Sequence, residues 1–104
     1  MSRVTLEAIH NGEIRSQVFD ISSQCSVGET LSTASVTATV YSGTDPAPAV
    51  ISGAAAISGQ KVTQLLSGAG GLSGVVYLIT VTATTSLGQS LRLLAYLPII
   101  PANQ

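Results

Sequence analysis

The sequence predicts an all-β fold: an antiparallel β-sandwich of about seven strands with no disulfide. Three observations support this prediction. Apolar and hydroxylic residues alternate with a period of two along much of the chain after residue 30, as in strands with one buried face. Glycine and proline interrupt these stretches at short intervals, as in sandwiches with many turns. Only 9% of the 104 residues are charged, so hydroxyl groups supply much of the polarity.

The first long strand is predicted at Thr30–Ser42. Its even positions from Ala34 to Val40 are apolar, and its odd positions from Thr33 to Thr39 are hydroxylic. This pattern, with β-branched residues on both faces, indicates a half-buried strand. The segment that follows contains glycine, aspartate and two prolines, which predicts a loop.

The clearest strand is predicted at Val75–Ser86, where apolar residues occupy the odd positions and threonines occupy even positions. Leu87-Gly88 predicts a tight hairpin turn, after which Gln89–Leu97 returns antiparallel. Pro98 and Pro101 are expected to end the ladder, because proline has no backbone N–H to donate.

Four shorter segments complete the predicted sheets: Val4–Ile9, Gln17–Ile21, Val50–Ser52 and Lys61–Ser67. The turn signal His10-Asn11-Gly12 separates the first two. The alanine run Ala54–Ala56 is too short to nucleate a helix. The predicted organisation is an N-terminal arm or first strand over residues 1–16, a sandwich over residues 17–98 and a C-terminal tail over residues 99–104.

The charges of the chain argue against binding to nucleic acid. The net charge is −1, and the four basic residues are scattered along the sequence, so no cluster can neutralise several phosphates. No membrane segment is expected either, since the longest apolar stretch, Leu91–Ile100, is about half a bilayer span and contains Arg92. The one cysteine, Cys25, cannot form an intrachain disulfide, which fits a protein made in a reducing cytoplasm.

Residues that could carry catalysis are few. The one histidine, His10, lies in a predicted turn, and Cys25 lies between polar residues with no flanking motif for a thiol nucleophile. Metal-ligand spacings such as Asp-x-Asp or Cys-x-x-Cys are absent from the sequence. We therefore expect no enzymatic activity, no catalytic or metal site and no cofactor.

The predicted interface lies in the exit segment of the last strand. If Leu91, Leu93, Ala95 and Leu97 face the core, then Leu94 and Tyr96 point the other way. Ile99 and Ile100 would extend beyond the sandwich. A contiguous apolar patch of this kind is typical of an interface, so these four residues predict a homo-oligomer or a permanent complex, with cyclic symmetry. The alternative is that a second layer or the N-terminal segment covers Leu94 and Tyr96 within one subunit.

Tyr77 refines the predicted fold. It opens the penultimate strand, where immunoglobulin-like domains often place a tyrosine whose ring packs in the core and whose hydroxyl bonds to nearby backbone. The position two residues later is a cysteine in antibody domains and is Ile79 here. We therefore expect an immunoglobulin-like sandwich in which apolar packing takes the place of the disulfide.

Several motifs along residues 17–97 occur together in a recognisable order. They are Phe19-Asp20-Ile21-Ser22, Val27-Gly28-Glu29-Thr30-Leu31, Val62-Thr63-Gln64-Leu65-Leu66-Ser67-Gly68-Ala69 and Gly74-Val75-Val76-Tyr77 with Thr84-Thr85-Ser86-Leu87-Gly88-Gln89. In order and spacing the chain resembles the small immunoglobulin-like proteins of tailed-phage particles known as fiber-tail adaptors. It departs from their pattern in lacking tryptophan and in its Pro- and Ala-rich insert at residues 43–56.

The resemblance implies a non-enzymatic structural protein of a tailed bacteriophage virion, assembled in the cytoplasm of the host bacterium. Its expected role is an adaptor that joins fibres to the tail, or a head or neck decoration protein on the same fold. Its expected partners are other virion proteins of the tail, fibre or capsid. The alternative is a glycan-binding or adhesion module, for which Tyr41 and Tyr96 are the candidate aromatic contacts.

Overall fold

The computed structural model describes residues 3–46, 48–68 and 72–101. The strands are β1 (Arg3–Thr5), β2 (Ile9–His10), β3 (Ile14–Asp20), β4 (Leu31–Ser42), β5 (Ile51–Ser58), β6 (Lys61–Ser67), β7 (Val76–Thr85) and β8 (Ser90–Ile100). One turn of 3-10 helix, η1 (Ser22–Gln24), precedes β4. The prediction of an all-β fold with no disulfide is confirmed for these residues, and Cys25 is a free thiol.

The strands form two sheets packed as a sandwich. The first sheet has the order β1-β8-β7-β4, with β2 also paired to β8, and the second has the order β3-β6-β5. Both β1 and β2 run parallel to β8, so they act as two pieces of one interrupted strand. Counted in this way, seven strands make up the described fold, as the alternation and the turns predict.

The core consists of the inward faces of both sheets. Alternate residues of β7 from Tyr77 to Ala83 are buried, as their spacing predicts, and Ala95 and Leu97 of β8 lie opposite them. Leu91 and Leu93 are partly buried against the same core. The second sheet contributes Phe19, Val62 and Leu66.

Two features of the last strand differ from the prediction. Strand β8 does not end at Pro98; it continues to Ile100. Ile99 is buried rather than extending beyond the sandwich, because it pairs with Ile9 of β2 and packs in the core. The predicted tail over residues 99–104 therefore includes two residues of the ladder, and residues 102–104 lie outside the described part.

The backbone explains why Pro98 is tolerated within β8. Tyr96 and Ile100 lie two positions before and after Pro98. Their carbonyls point to the first strand and accept hydrogen bonds from the amides of Leu6 and Asn11 (both 2.8 Å). By the alternation of a strand, Pro98 faces the same edge, and there the first strand is interrupted between β1 and β2. Its missing N–H therefore costs no ladder hydrogen bond.

Three other boundaries also differ. Strand β3 begins at Ile14, within the segment assigned to the N-terminal arm. The predicted strand Val4–Ile9 is broken into β1 and β2. Strand β5 extends through the alanine run to Ser58, since β6 provides a paired neighbour for it. The sequence also predicts a flexible, glycine-rich loop from Gly68 to Gly74, of which residues 69–71 lie outside the described part.

Arg15 holds the interrupted first strand against the second sheet. From β3 its guanidinium donates hydrogen bonds to the carbonyl of Glu7 (2.7 Å) and to that of Ala8 (3.3 Å). These carbonyls belong to the break between β1 and β2. The N-terminal segment is therefore docked along the edge of β8, and its ladder does not cover the outer face of the first sheet.

Candidate interaction surface

The outer face of the first sheet carries an apolar surface. Its members lie on three neighbouring strands and are half-buried, apart from exposed Tyr41; we call them the outer patch: Tyr41, Val76, Leu78, Leu94, Tyr96, Pro98 and Ile100. Cross-strand pairing places Leu78 beside Tyr96 and Val76 beside Pro98. Directly opposed residues of this kind have neighbouring side chains on one face of a sheet. The patch is thus continuous from β8 to β7.

Two tyrosines close the patch over the middle strand. Tyr41 comes from β4 and Tyr96 from β8, and their ring centroids lie 4.5 Å apart with an interplanar angle of 55°. Because β7 runs between these strands, the rings meet above it. The tilt is an ordinary geometry for an aromatic pair and does not make a flat platform.

The structure brings together three of the four residues predicted for an interface. Leu94, Tyr96 and Ile100 share the outer face, while Ile99 points into the core. The correction follows from strand periodicity, since adjacent residues of β8 face opposite sides. Val76 and Leu78 are absent from the predicted interface, although their positions on the outward side of their strands could have identified them. Tyr41 is predicted as a candidate aromatic contact, and the structure places it beside Tyr96.

A smaller apolar cluster lies on the outer face of the second sheet. Ile14 and Val18 of β3 are exposed, and both are diagonal neighbours of exposed Leu65 on β6. Asp20 and Lys61 pair at one end of this cluster. The two outer faces of the sandwich therefore differ, the first being broad and aromatic and the second narrow and aliphatic.

A buried carboxylate joins three connections at one end of the sandwich. Glu29 is 1% exposed, and its Oε1 accepts a hydrogen bond from the amide of Ser26 (2.8 Å) while its Oε2 accepts one from the hydroxyl of Thr85. The side-chain amide of Gln60, in the β5–β6 turn, donates to the carbonyl of Glu29 (2.7 Å). The segment before β4 is thereby tied to the turns that precede β6 and β8.

A second polar contact lies where β4 ends and β7 begins. The Tyr77 ring is buried; its hydroxyl donates to Oδ2 of Asp45 (2.7 Å) and accepts from the amide of Leu72 (2.8 Å). Burial, followed by the hydrogen bond to Asp45, raises the pKa of Tyr77. The predicted core ring with a backbone-bonded hydroxyl is confirmed, whereas the role of Asp45 is new, since its sequence context indicated only a turn.

The thiol of Cys25 and the imidazole of His10, the two groups considered for catalysis, lie far apart. Cys25 follows η1, where Gln24 donates to the carbonyl of Arg92 (2.9 Å), and His10 pairs with Ile100 at the other end of β8. Eight residues of strand separate these two points, roughly 25 Å. Burial raises the pKa of the Cys25 thiol, and nearby Glu29 acts in the same direction, which lowers its thiolate content.

Within the residues that the structure describes, no group of three or more His, Cys, Asp or Glu side chains is placed to hold a metal ion, and no pocket is found. None of the described segments forms a helix with the length and apolarity needed to cross a bilayer.

The residues of the sequence motifs lie in the core or in the hydrogen bonds that link the connections between strands. Phe19 and Ile21 are core residues, and the amide of Ser22 donates to the Asp20 carboxylate between them (2.9 Å), where hydrogen bonding from Ser22 lowers the pKa of that carboxyl. The Gly-Glu-Thr motif and the Thr-Thr-x-x-Gly motif meet through Glu29 and Thr85.

Comparison with known proteins identifies a family. The model of the podophage GP4 fiber-tail adaptor protein gp77 family matches residues 10–97, which span every strand from β3 to β7 and most of β8. The chain belongs to this family. The resemblance to fiber-tail adaptors is thereby confirmed, and the motifs that carry it are those described above. No curated protein sequence matches the chain at a significant level.

Proposed function

We propose that this chain is a non-enzymatic structural part of a tailed-phage virion, an adaptor that joins fibres to the tail and is assembled in the cytoplasm of the host. The family match over residues 10–97 carries the proposal. The order of the sheets supports an immunoglobulin-like classification, because β3-β6-β5 and β8-β7-β4 follow the B-E-D and G-F-C order of immunoglobulin domains. A head or neck decoration role on the same fold is the nearest alternative position in the particle.

We further propose that the outer patch contacts other virion proteins or further copies of this chain in a cyclic homo-oligomer. The patch combines aromatic and aliphatic side chains with few charges, which is the composition of an interface centre. Its Leu94, Tyr96 and Ile100 lie on the strand that the first strand borders only at its edge, so the patch faces outward.

Particles lacking the chain provide the test of the adaptor role. Purified chain added to such particles is expected to restore fibre attachment, counted by electron microscopy. Leu94→Glu is expected to abolish the restoration, whereas Leu87→Glu, which places the same charge in the exposed β7–β8 turn, is expected to retain it. Fibres that attach equally with and without the chain would refute the adaptor role. Equal activity of the two variants would refute the role of the patch alone.

Although Ile99 is among the residues predicted for the interface, Ile99→Glu is unsuitable for this test, because burial of a carboxylate in the core would unfold the chain. Ile100→Glu changes the outer patch at the neighbouring position and is the correct second variant.

A glycan-binding role is the second candidate function, and the contact between Tyr41 and Tyr96 is the observation that favours it. Binding of the isolated chain to a glycan array, lost in Tyr41→Ala but not in Leu87→Ala, would support this role. Absence of binding on the array would contradict the glycan-binding role and favour protein contacts for the two tyrosines.

A further inference from the structure

Strand β4 forms a long open edge of the first sheet. It pairs with β7 on one side, and no described strand pairs with it on the other. Its ladder is regular between the two register shifts, from Thr33 to Val40. The amide of Leu31 donates to the carbonyl of Gly59 (3.1 Å), in the turn between β5 and β6, and β5 of the second sheet lies close to β4 without pairing with it.

The direction of the unpaired backbone groups follows from the ladders. The carbonyl of Val75 accepts a hydrogen bond from the amide of Ile99 (3.1 Å), and the amide of Thr85 donates to the carbonyl of Gln89 (2.9 Å). Both bonds are on the side of β7 that borders β8. The backbone N–H and C=O groups of odd residues of β7 therefore point to β8, and those of even residues point to β4. Their partners on β4 are the odd residues from Thr33 to Thr39. The even residues of β4 turn their N–H and C=O groups to the open edge; they are Ala34, Val36, Ala38 and Val40.

The other sheet edges carry features that discourage pairing. Strand β3 bears the charged residues Arg15 and Asp20, and Arg15 also donates a hydrogen bond to the first strand. Strand β5 has an irregularity between Ser52 and Ala56. Strands β1 and β2 are three and two residues long. Charge, bulges and shortness are the usual protections of an edge, and the regular stretch of β4 has none of them.

The side chains of β4 are complementary to a copy of the same strand. The twelve residues include no charge and no proline, so two such strands can meet without like-charge repulsion. In an antiparallel pair about a two-fold axis, the exposed hydroxyls of Ser35, Thr37 and Thr39 face hydroxyls of the copy, a favourable cross-strand combination. The small inward residues Ala34 and Ala38 are half-buried, and a second strand would complete their burial.

We propose that β4 pairs antiparallel with β4 of a second copy, which joins the first sheets of two subunits into one continuous sheet. The interface is isologous, since both subunits use the same strand. It uses the backbone edge of β4 from Ala34 to Val40, whereas the outer patch takes only Tyr41 from this strand, and it does not depend on the position of the chain in the particle.

Sedimentation of Leu94→Glu protein isolates this contact, because the outer patch is then disabled. This protein is expected to sediment as a dimer. Adding Ser35→Glu and Thr39→Glu is expected to give a monomer at the same concentration. A matched control adds Thr82→Glu and Thr84→Glu on β7, one strand away from the edge, and is expected to remain a dimer.

Charge reversal tests the pairing directly. The Ser35→Lys, Thr39→Lys protein is expected to be monomeric alone and to form a heterodimer when mixed with its Glu counterpart, detected by native mass spectrometry. Circular dichroism verifies that each variant is folded. A Leu94→Glu protein that stays monomeric at the highest concentration would overturn the proposal, as would edge-charge variants that dimerise alone. The first result is also the one expected if a strand of another virion protein occupies the edge.

Amide exchange gives an independent measurement on the unsubstituted edge. In the Leu94→Glu protein the N–H groups of Val36 and Ala38 are expected to exchange more slowly as protein concentration rises, while that of exposed Leu87 is unchanged. Exchange of Val36 and Ala38 that does not depend on concentration would also overturn the proposal.

Discussion

The carboxylate of Glu29 accepts a hydrogen bond from the hydroxyl of Thr85, although the two residues are 56 positions apart in the chain. The same hydroxyl accepts from the amide of Gln89 (3.0 Å), so it links the buried carboxylate to the β7–β8 turn. A buried charge needs hydrogen-bond partners to offset its lost hydration. Glu29 and Thr85 are therefore a joint of the fold rather than two independent polar residues.

Replacement of Glu29 by Ala is expected to lower the free energy of unfolding by about 3 kcal/mol, because it leaves the Ser26 amide and the Thr85 hydroxyl without their acceptor. Thr85→Val is expected to cost about 2 kcal/mol. Urea unfolding of both single variants and of the double variant should give a coupling of about 1–2 kcal/mol.

Thr84→Val is the control for this cycle, since Thr84 is the adjacent and exposed hydroxyl of β7. It is expected to change stability by less than about 0.5 kcal/mol. Additive costs for Glu29→Ala and Thr85→Val would contradict the assignment of a shared joint.

Tyr77→Ala is expected to cost about 3–5 kcal/mol, the range for removal of a buried aromatic side chain. Tyr77→Phe keeps the ring and loses the bonds to Asp45 and Leu72, so its cost should be about 1–2 kcal/mol. Thermal and urea unfolding measure both. A Tyr77→Ala protein as stable as the wild type would show that the ring does not stabilise the core.

Alkaline pH should destabilise the wild type through the same residue. Because burial raises the pKa of Tyr77 in the folded chain, its neutral form contributes stability that is complete below the unfolded value of 10.0 and is lost as pH rises above it. Unfolding free energies measured from pH 8 to 11 should fall more steeply for the wild type than for Tyr77→Phe. Parallel curves would contradict this expectation.

Local alternation predicted much of the framework. Strand β6 has the predicted bounds Lys61–Ser67, and β4 begins one residue later than predicted. The outward positions of Leu94 and Tyr96 also follow from the period of two. These features depend on residues close in sequence, so the alternation of apolar and hydroxylic side chains is enough to predict them.

The errors arise where a distant partner decides the structure. Ile99 is in the core because Ile9, some ninety residues away, extends the sheet beside it. Pro98 stays within β8 because its edge meets the break in the first strand, and that break is not visible in the sequence around the proline. The sequence shows Glu29 only as part of a motif, because its partner Thr85 becomes adjacent only in the folded chain.

The final prediction concerns Gly68, which lies against the turn that follows the first strand. Its amide donates to the carbonyl of Glu13 (2.6 Å), and its carbonyl accepts from the side-chain amide of Asn11 (3.0 Å). A Cβ at this position would lie 2.1 Å from the carbonyl oxygen of His10 and 2.7 Å from a methyl carbon of Ile9. Since backbone cannot move aside as a flexible side chain can, only glycine fits between β6 and this turn.

Gly68→Ala is therefore expected to cost about 3 kcal/mol, from overpacking and from weakened hydrogen bonds to the turn. Gly12→Ala is the matched control: Gly12 has a φ of +96°, but nothing lies within 4 Å of its added Cβ, so only backbone strain of about 1 kcal/mol is expected. Because the turn positions Ile9 beside Ile99, Gly68→Ala should also accelerate amide exchange of Asn11, which donates to Ile100. Equal stability of the two variants would show that the turn can yield and that Gly68 is not required for docking of the first strand.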